Sequence, residues 1–204
     1  MDMALPVSSL LVMAQATTCS RELGGTVRDV PARTPSVELV LGMEILTFSA
    51  PTRVLRAYAG ATCALAHSCL RTLDLQRSKD FVITPDAIMA TCWRMKGKKV
   101  QTPWAALRVG FSGKDWASHW LRELAEDDLP GLDFTLMAPN SKFSDYTSTI
   151  ASHHHFANVQ RALLTMPPIS LSVRDALTFI PHSWRHVYPT AASQLSIPDS
   201  QKEE

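Results

Sequence analysis

The stretch TRVLRAYAGATCALAHSCLRTLDLQR, residues 52–77, carries the clearest helical pattern in the chain. Apolar and small side chains such as Leu55 and Leu65 recur on adjoining turns, as the buried face of a helix requires. Thr52 stands directly before them, and its side-chain oxygen can cap the free N–H groups of the first turn. We therefore predict a helix over residues 53 to about 73, whose many alanines allow neighbouring elements to pack closely.

The segments on either side of this helix give shorter patterns. Residues 37–45 predict a short helix that ends before Pro51. Downstream, short β-rich runs alternate with turn residues, which is typical of antiparallel strands. We predict strands at 81–83, 88–94 and 99–102, a hairpin tip at 95–98, and an end to the last strand at Pro103.

The second half of the chain is interpreted as helices separated by proline. The predicted helices are 115–127, one or two within 141–164, a short one from the cap Ser172 through Phe179, and one from His182 to about Leu195, opened by Pro181. Together with the short strands, they predict a mainly α fold with one small antiparallel sheet, of the α+β class.

Length and composition indicate one globular domain. The chain has 204 residues, of which 46% are hydrophobic and 19% charged. Residues 1–35 predict a disordered or poorly packed lead-in, residues 36–198 a folded core and residues 199–204 a frayed tail. Beyond the first twenty residues, no predominantly apolar run reaches the length of a membrane span, so no membrane partner is expected.

The four cysteines predict a reduced, intracellular protein. Their spacing matches neither a disulfide scaffold nor a zinc site, and we expect Cys63 and Cys69 to be buried thiols. Asp2 stands where a secretion signal carries positive charge, so a cleaved signal is not expected. A metal site at residues 153–155 is not expected either, because adjacent histidines on a helix point in different directions.

The charges are segregated along the chain although they nearly cancel overall. The formal net charge is +1. Residues 71–114 hold nine Lys and Arg against three Asp and Glu, whereas residues 115–145 hold two against seven. A basic strip beside an acidic one favours a local anionic partner, of which the net charge alone gives no sign.

Three groups of residues could together handle a phosphate ester. Arg71 has Asp74 three residues further on, where the carboxylate can steady its guanidinium. Residues 94–99 form a basic hairpin, and His182 and Arg185 share one face of the final helix near its N-terminus. Arginines bind nonbridging phosphate oxygens and keep their charge, while a histidine or a lysine can move a proton.

In this order, the residues resemble the catalytic domain of tyrosine recombinases, which includes phage-type integrases and eukaryotic mobile-element relatives. The resemblance covers residues 36–198. It is carried by Leu70, Arg71, Asp74, Leu75, Pro181, His182, Arg185, His186 and Thr190. It implies a mainly helical domain with a small sheet that cuts DNA through a 3′-phosphotyrosyl link.

The resemblance also implies roles for the catalytic candidates. Arg71 and Arg185 would clamp the scissile phosphate, and His182 would assist proton transfer. A lysine of the hairpin would be the general acid, and no cofactor is implied. The first candidate for that acid is Lys96, with Lys98 and Lys99 as alternatives.

The chain departs from the family pattern at the nucleophile. Only 19 residues follow Arg185, and none of Tyr58, Tyr146 and Tyr188 matches the family's later tyrosine. We therefore expect a mobile-element core truncated before its nucleophile, which binds duplex DNA and does not cleave alone. Expected partners also include a second copy or a full-length relative, and the expected location is the nucleus.

Other functions also fit the sequence. A non-catalytic protein-interaction module would use exposed tryptophans and the acidic strip, and a phosphate-ester hydrolase would use His182. Structural roles are open as well: an Arg71–Asp74 ion pair, a solvated hairpin, an Arg185 paired with an acid, and tryptophans that pack the core.

Overall fold

The structure is a computed structural model that describes residues 33–93, 101–126 and 134–194. Within these ranges the chain is mainly α-helical with two small antiparallel sheets, which confirms the predicted fold class. Outside them lie most of the predicted lead-in 1–35, the hairpin tip with Lys96, Lys98 and Lys99, and the predicted tail 199–204.

Within the described ranges, seven elements precede the second sheet and six follow from its first strand onward. The first group is α1 (Val37–Ser49), α2 (Arg53–Ser68), α3 (Thr72–Gln76), β1 (Ser78–Ile83), β2 (Ala87–Cys92), β3 (Thr102–Leu107) and α4 (Trp116–Glu126), with the turn at 84–86 between β1 and β2. The second group is β4 (Met137–Pro139), β5 (Tyr146–Ile150), α5 (His153–Thr165), α6 (Val173–Ala176), a 3-10 helix (Pro181–His186) and α7 (Val187–Gln194).

Helix α2 lies at the centre of the core. Every residue from Ala57 to Ala66 is buried, and α1, α4, α5 and the 3-10 helix all pack against α2. Helix α4 approaches closely because Gly60 has no side chain, and a Cβ there would collide with Trp120. Thr52 caps α2 as predicted, since its hydroxyl accepts a hydrogen bond from the Leu55 N–H at 3.2 Å.

The end of α2 differs from the prediction. The helix stops at Ser68 rather than near residue 73, because Cys69 adopts a left-handed conformation with φ of 54°. Leu70 then turns into the core, and Arg71 becomes the N-cap residue of α3. Left-handed helix ends usually carry glycine, so a cysteine at this position did not indicate the end of the helix. The thiol of Cys69 is exposed, not buried as predicted, whereas Cys63 is buried as predicted.

The larger sheet has the strand order β1–β2–β3, and all neighbours are antiparallel. Ile88 and Trp104 face the core and are buried, whereas Val82 and Met89 face outward and are exposed. Pro103 lies inside β3 and pairs with the middle strand, so the predicted strand end at this residue is wrong. Proline is tolerated there because β3 is an edge strand.

The second sheet replaces part of a predicted helix. Residues 146–150 form β5, which pairs with β4, so the predicted helical stretch 141–164 is wrong in its first half. The sequence Tyr-Thr-Ser-Thr-Ile is rich in residues that favour strands. The remaining part is helix α5, and Ser152 caps it by accepting a hydrogen bond from the His155 N–H.

The predicted final helix is divided into two elements. A 3-10 helix over Pro181–His186 leads directly into α7 at Val187. Ser172 caps α6 as predicted, although α6 ends at Ala176 rather than at residue 179. In the described ranges, no helix is long and apolar enough to span a membrane.

Four of the five tryptophans pack in the core as predicted. Trp93 is the exception, because 37% of its surface is exposed and the Arg77 guanidinium lies 5.7 Å from its ring centroid. The buried four are Trp104, Trp116, Trp120 and Trp184.

Candidate functional site

Arg71 lies at the short break between α2 and α3. Its backbone carbonyl accepts hydrogen bonds from the N–H groups of Asp74 and Leu75, both at 3.0 Å, so the backbone is fixed by the first turn of α3. The side chain is exposed. This arrangement presents a flexible guanidinium on a rigid base.

Asp74 does not steady Arg71 as the sequence predicts. The Asp74 side chain points into the protein with 3% of the residue exposed, and no ion pair joins it to Arg71. Its main-chain carbonyl accepts a hydrogen bond from the Ser78 hydroxyl at 2.9 Å. The spacing of three residues placed both on one predicted helix, but here Arg71 is the cap residue and lies outside the helical turn.

His182 and Arg185 lie on the 3-10 helix. Residues three apart in a 3-10 helix are eclipsed, so both side chains project to the same side. The opposite side is anchored by the fully buried Trp184 and by Ser183, whose N–H and hydroxyl both donate to the Ile180 carbonyl at 3.0 and 2.8 Å. Hence the exposed His182 and the half-buried Arg185 face outward together.

The structure brings Arg71 and Arg185 to the same side of the molecule, around His182. Burial lowers the pKa of His182, and the positive charge of Arg185 lowers it further, followed by His186, Arg71 and His153. The charge of Arg185 also acts on the Cys69 thiol, two residues before Arg71. The rings of His182 and His186 are 5.4 Å apart between centroids. We call Arg71, His153, His182, Arg185 and His186 the cationic cluster.

The cationic cluster contains no carboxylate. Neither of its arginines forms an ion pair with an acid in the described ranges. Three arginines elsewhere in the fold do so: Arg53 with Glu126 at 2.7 Å, Arg56 with Glu123 at 3.0 Å and Arg108 with Asp115 at 2.6 Å. Among the described residues, the structure therefore shows no acid paired with Arg185, the alternative that the sequence left open.

Arg161 on α5 adds a further positive charge beside the cluster. It lies within electrostatic reach of His153. Burial lowers the pKa of that histidine most, and the positive charge of Arg161 lowers it further. The Arg161 side chain is half-buried, and its Nε has no hydrogen-bond partner. Positive groups from α3, α5 and the 3-10 helix thus converge without compensation, which favours an anion at this surface.

The lysines predicted as the general acid lie outside the described residues. The two flanking strands are adjacent and antiparallel, and Cys92 pairs with Thr102, so the chain between them connects neighbouring strands. This agrees with the predicted hairpin connection. The role of Lys96, and the alternatives Lys98 and Lys99, stay predictions.

Two of the three tyrosines are held in buried hydrogen bonds. The Tyr58 hydroxyl donates to the Met137 carbonyl at 2.8 Å, and the Tyr188 hydroxyl contacts Nδ1 of His67 at 2.5 Å. Burial raises the pKa of both phenols, which disfavours the nucleophilic phenolate.

His67 and its partner Glu44 were missed by the sequence analysis. Glu44 stands among apolar residues of α1 and His67 near the end of α2, and their separation of 23 residues matches no known spacing motif. Only their full burial and direct contact mark them, with 0% of either side chain exposed. In the described ranges, no group of three or more His, Cys, Asp or Glu side chains could hold a metal ion.

The comparisons with known proteins give a distant structural likeness. No family model matches the chain, and no curated protein matches its sequence. Among solved structures, the fold is similar to the FLP Recombinase-Holliday Junction Complex I, with a TM-score of 0.46 and 13% sequence identity. The match covers 96% of this chain and 49% of that one, so the chain spans about half the length of that tyrosine recombinase.

Proposed function

We propose that this protein binds duplex DNA through its cationic cluster, as the phosphate-binding core of a tyrosine-recombinase-like domain. The observation that carries the proposal is the convergence of Arg71 and Arg185 around His182, where neither arginine pairs with a carboxylate of the described residues. Two unpaired guanidinium groups repel each other, and an anion between them removes that repulsion. The resemblance of the flanking residues to the recombinase boxes supports the same assignment.

The chemistry follows from the charges. Arg71 and Arg185 would each bind nonbridging oxygens of a backbone phosphate. The lowered pKa of His182 keeps its imidazole neutral at neutral pH, so one ring nitrogen can accept a proton from a phosphate-bound group. A bound phosphate favours the protonated imidazole and raises this pKa again. Lys96 is the proposed general acid, and strand cleavage itself is not assigned to Tyr58 or Tyr188.

The experiment compares the salt dependence of DNA binding in three proteins. A labelled duplex is titrated with the wild type, with Arg71→Ala plus Arg185→Ala, and with Arg53→Ala plus Arg122→Ala. The control pair removes the same amount of positive charge, but from the surface beside α4. There Arg53 pairs with Glu126, and Arg122 forms a hydrogen bond with His119. Fluorescence anisotropy at several salt concentrations gives the slope of log affinity against log salt.

Each phosphate contact contributes about 0.9 to this slope, so the first double variant should lose about 1.8. Its affinity deficit should then be roughly tenfold larger at 50 mM than at 200 mM salt. The control should keep the wild-type slope. Equal slopes for both double variants, or no DNA binding by the wild type, would refute the proposed function.

A second candidate function, a protein-interaction module, is favoured by the outer face of the larger sheet. Val82 and Met89 are paired neighbours on this face, and with Leu107 they are 55%, 42% and 51% exposed. Exposed apolar neighbours on a sheet favour a protein contact. In this alternative two copies associate through the sheet, and Met89→Glu abolishes dimers in sedimentation equilibrium. A monomeric wild type would remove this candidate.

A further inference from the structure

A network of half-buried hydrogen bonds through the His67 side chain links three helices. Nε2 of His67, on α2, lies 2.8 Å from Oε1 of Glu44, on α1. Nδ1 of the same ring lies 2.5 Å from the hydroxyl of Tyr188, on α7. The side chains of Glu44 and His67 are fully buried.

The burial and the charges around this network indicate which groups carry the protons. Burial raises the pKa of Tyr188 most, and the nearby charge of Glu44 raises it further. The phenol therefore stays protonated, and its O–H donates a hydrogen bond to Nδ1 of His67. Burial alone would raise the pKa of Glu44, but hydrogen bonds from His67 and Ser112 lower it, and the carboxylate stays ionised. His67 then donates from Nε2 to Glu44. This assignment leaves neither nitrogen of His67 unsatisfied.

The loop between β3 and α4 also contacts this network of hydrogen bonds. The Glu44 carboxylate accepts hydrogen bonds from the N–H groups of Phe111 at 3.0 Å and Ser112 at 2.7 Å. The loop backbone approaches this closely because Gly110 has no side chain, and a Cβ there would collide with the carboxylate. The His67 ring stacks on Trp116 with centroids 5.4 Å apart and planes 13° apart.

The hydrogen-bond network lies close in sequence to both arginines, and this position indicates its role. His67 lies four residues before Arg71, near the end of α2, and Tyr188 lies three residues after Arg185, at the start of α7. The His67–Tyr188 hydrogen bond therefore joins the two segments that carry the arginines. We propose that Glu44, His67 and Tyr188 form a clasp that fixes the separation of Arg71 and Arg185, and are positioning residues for the anion site.

The importance of the clasp for DNA binding rests on the proposed function, but its effect on the arginines does not. Removing the Tyr188 hydroxyl leaves a buried Nδ1 without a donor, which favours a shift of α7 away from α2. The buried Trp184 keeps the 3-10 helix in the core, so the fold persists while Arg185, two residues before α7, moves with the start of α7 away from Arg71. Tyr188→Phe is therefore the informative change.

Tyr58→Phe is a matched control, because it removes the same hydroxyl from another buried tyrosine. Tyr58 lies on α2, and its hydroxyl donates to the Met137 carbonyl instead. Circular dichroism verifies that both variants fold. Glu44→Gln provides a second test of the clasp, since it removes the charged acceptor and keeps the shape.

The first measurement is the NMR titration of the His182 imidazole in the absence of DNA. The groups that act on His182 are Arg185 and His186 on its own element, Arg71 on α3 and His153 on α5. If the clasp holds Arg71 near, the His182 pKa should rise in Tyr188→Phe and in Glu44→Gln, and stay at the wild-type value in Tyr58→Phe. An unchanged pKa in both clasp variants would overturn the proposal.

The second measurement is DNA affinity against salt for the same proteins. Tyr188→Phe should lose about 0.9 of the slope, as if one arginine no longer reached its phosphate, while Tyr58→Phe keeps it. A wild type that binds no DNA, combined with the expected rise in the His182 pKa, rejects the proposed function and supports the clasp. DNA binding with the same slope in Tyr188→Phe and in the wild type rejects the clasp alone.

Discussion

Replacing Arg161 by methionine should make the free protein more stable. Arg161 is half-buried, forms no ion pair with an acid in the described ranges, and holds a buried Nε without a hydrogen-bond partner. Burial lowers the pKa of this guanidinium, which means that the surroundings disfavour its charge. Methionine keeps much of the aliphatic stem and removes both the charge and the unpaired donor.

The expected gain can be sized from the unpaired donor. A buried donor without a partner costs about 1–3 kcal/mol, and part of the gain is lost because the exposed half of the side chain is already solvated. We expect the free energy of unfolding to rise by about 1 kcal/mol, which raises Tm by about 2–4 °C for a chain of this size.

The assay is thermal unfolding followed by circular dichroism, with Arg108→Met as the matched control. Arg108 donates two hydrogen bonds to Asp115, at 2.8 and 2.6 Å, so its replacement should lower Tm. DNA affinity should fall in Arg161→Met even as stability rises, because Arg161 adds to the positive charge beside His153. A lower Tm for Arg161→Met than for the wild type would refute the inference that this charge is uncompensated.

Three further predictions follow from the packing and the pKa shifts. Gly60→Ala should lower the free energy of unfolding by about 1–2 kcal/mol, because overpacking against Trp120 outweighs the gain in helix propensity. Urea unfolding measures this change, and a stabilised variant would contradict the prediction. Gln76→Ala should cost about 3 kcal/mol by the same assay, because the Gln76 amide donates to the Leu136 and Ala151 carbonyls and accepts from the Leu136 N–H; a loss below about 1 kcal/mol would count against these bonds. DNA affinity should increase as pH falls from 7.5 to 5.5. The lowered pKa leaves the His182 imidazole neutral in the free protein, and the imidazole takes up a proton when phosphate binds. His182→Gln should flatten this pH profile, which fluorescence anisotropy measures.

The sign of the pH effect is opposite for the stability of the free protein. A histidine whose pKa is lowered on folding binds fewer protons in the folded chain than in the unfolded one. Stability is therefore full above the ordinary value of 6.5 and is lost as pH falls through it, for His119, His153, His155 and His182 alike. DNA should offset this loss only at His182 and His153, which lie in the cationic cluster.

The sequence predicted helices best where the apolar pattern was long. The patterns around Leu65 and Trp120 predicted α2 and α4, because burial of one helix face dominates local preferences. The predictions failed where tertiary contacts override weak local signals. Cys69 takes a left-handed conformation because Leu70 is buried, and β5 forms because β4 offers it a partner.

The members of the candidate site come from the sequence and stay a prediction, whereas one predicted contact between them was wrong. Arg71, His182 and Arg185 were identified from residue type and order alone. The pairing of Arg71 with Asp74 was wrong, because the break in the helix turns one side chain outward and the other inward. Glu44, His67 and Tyr188 gave no signal, since a buried polar group has meaning only once its partners are known.

The sequence by itself determined the helical class, the caps Thr52 and Ser172, and the presence of cationic residues at two distant points of the chain. These properties depend on composition and on spacings of a few residues. Only the tertiary structure decided that Arg71 and Arg185 lie around one histidine, with no ion-paired acid in the part of the chain that the structure describes. Their distance is set by how α2, α3 and the 3-10 helix pack, and packing depends on contacts between residues more than a hundred positions apart.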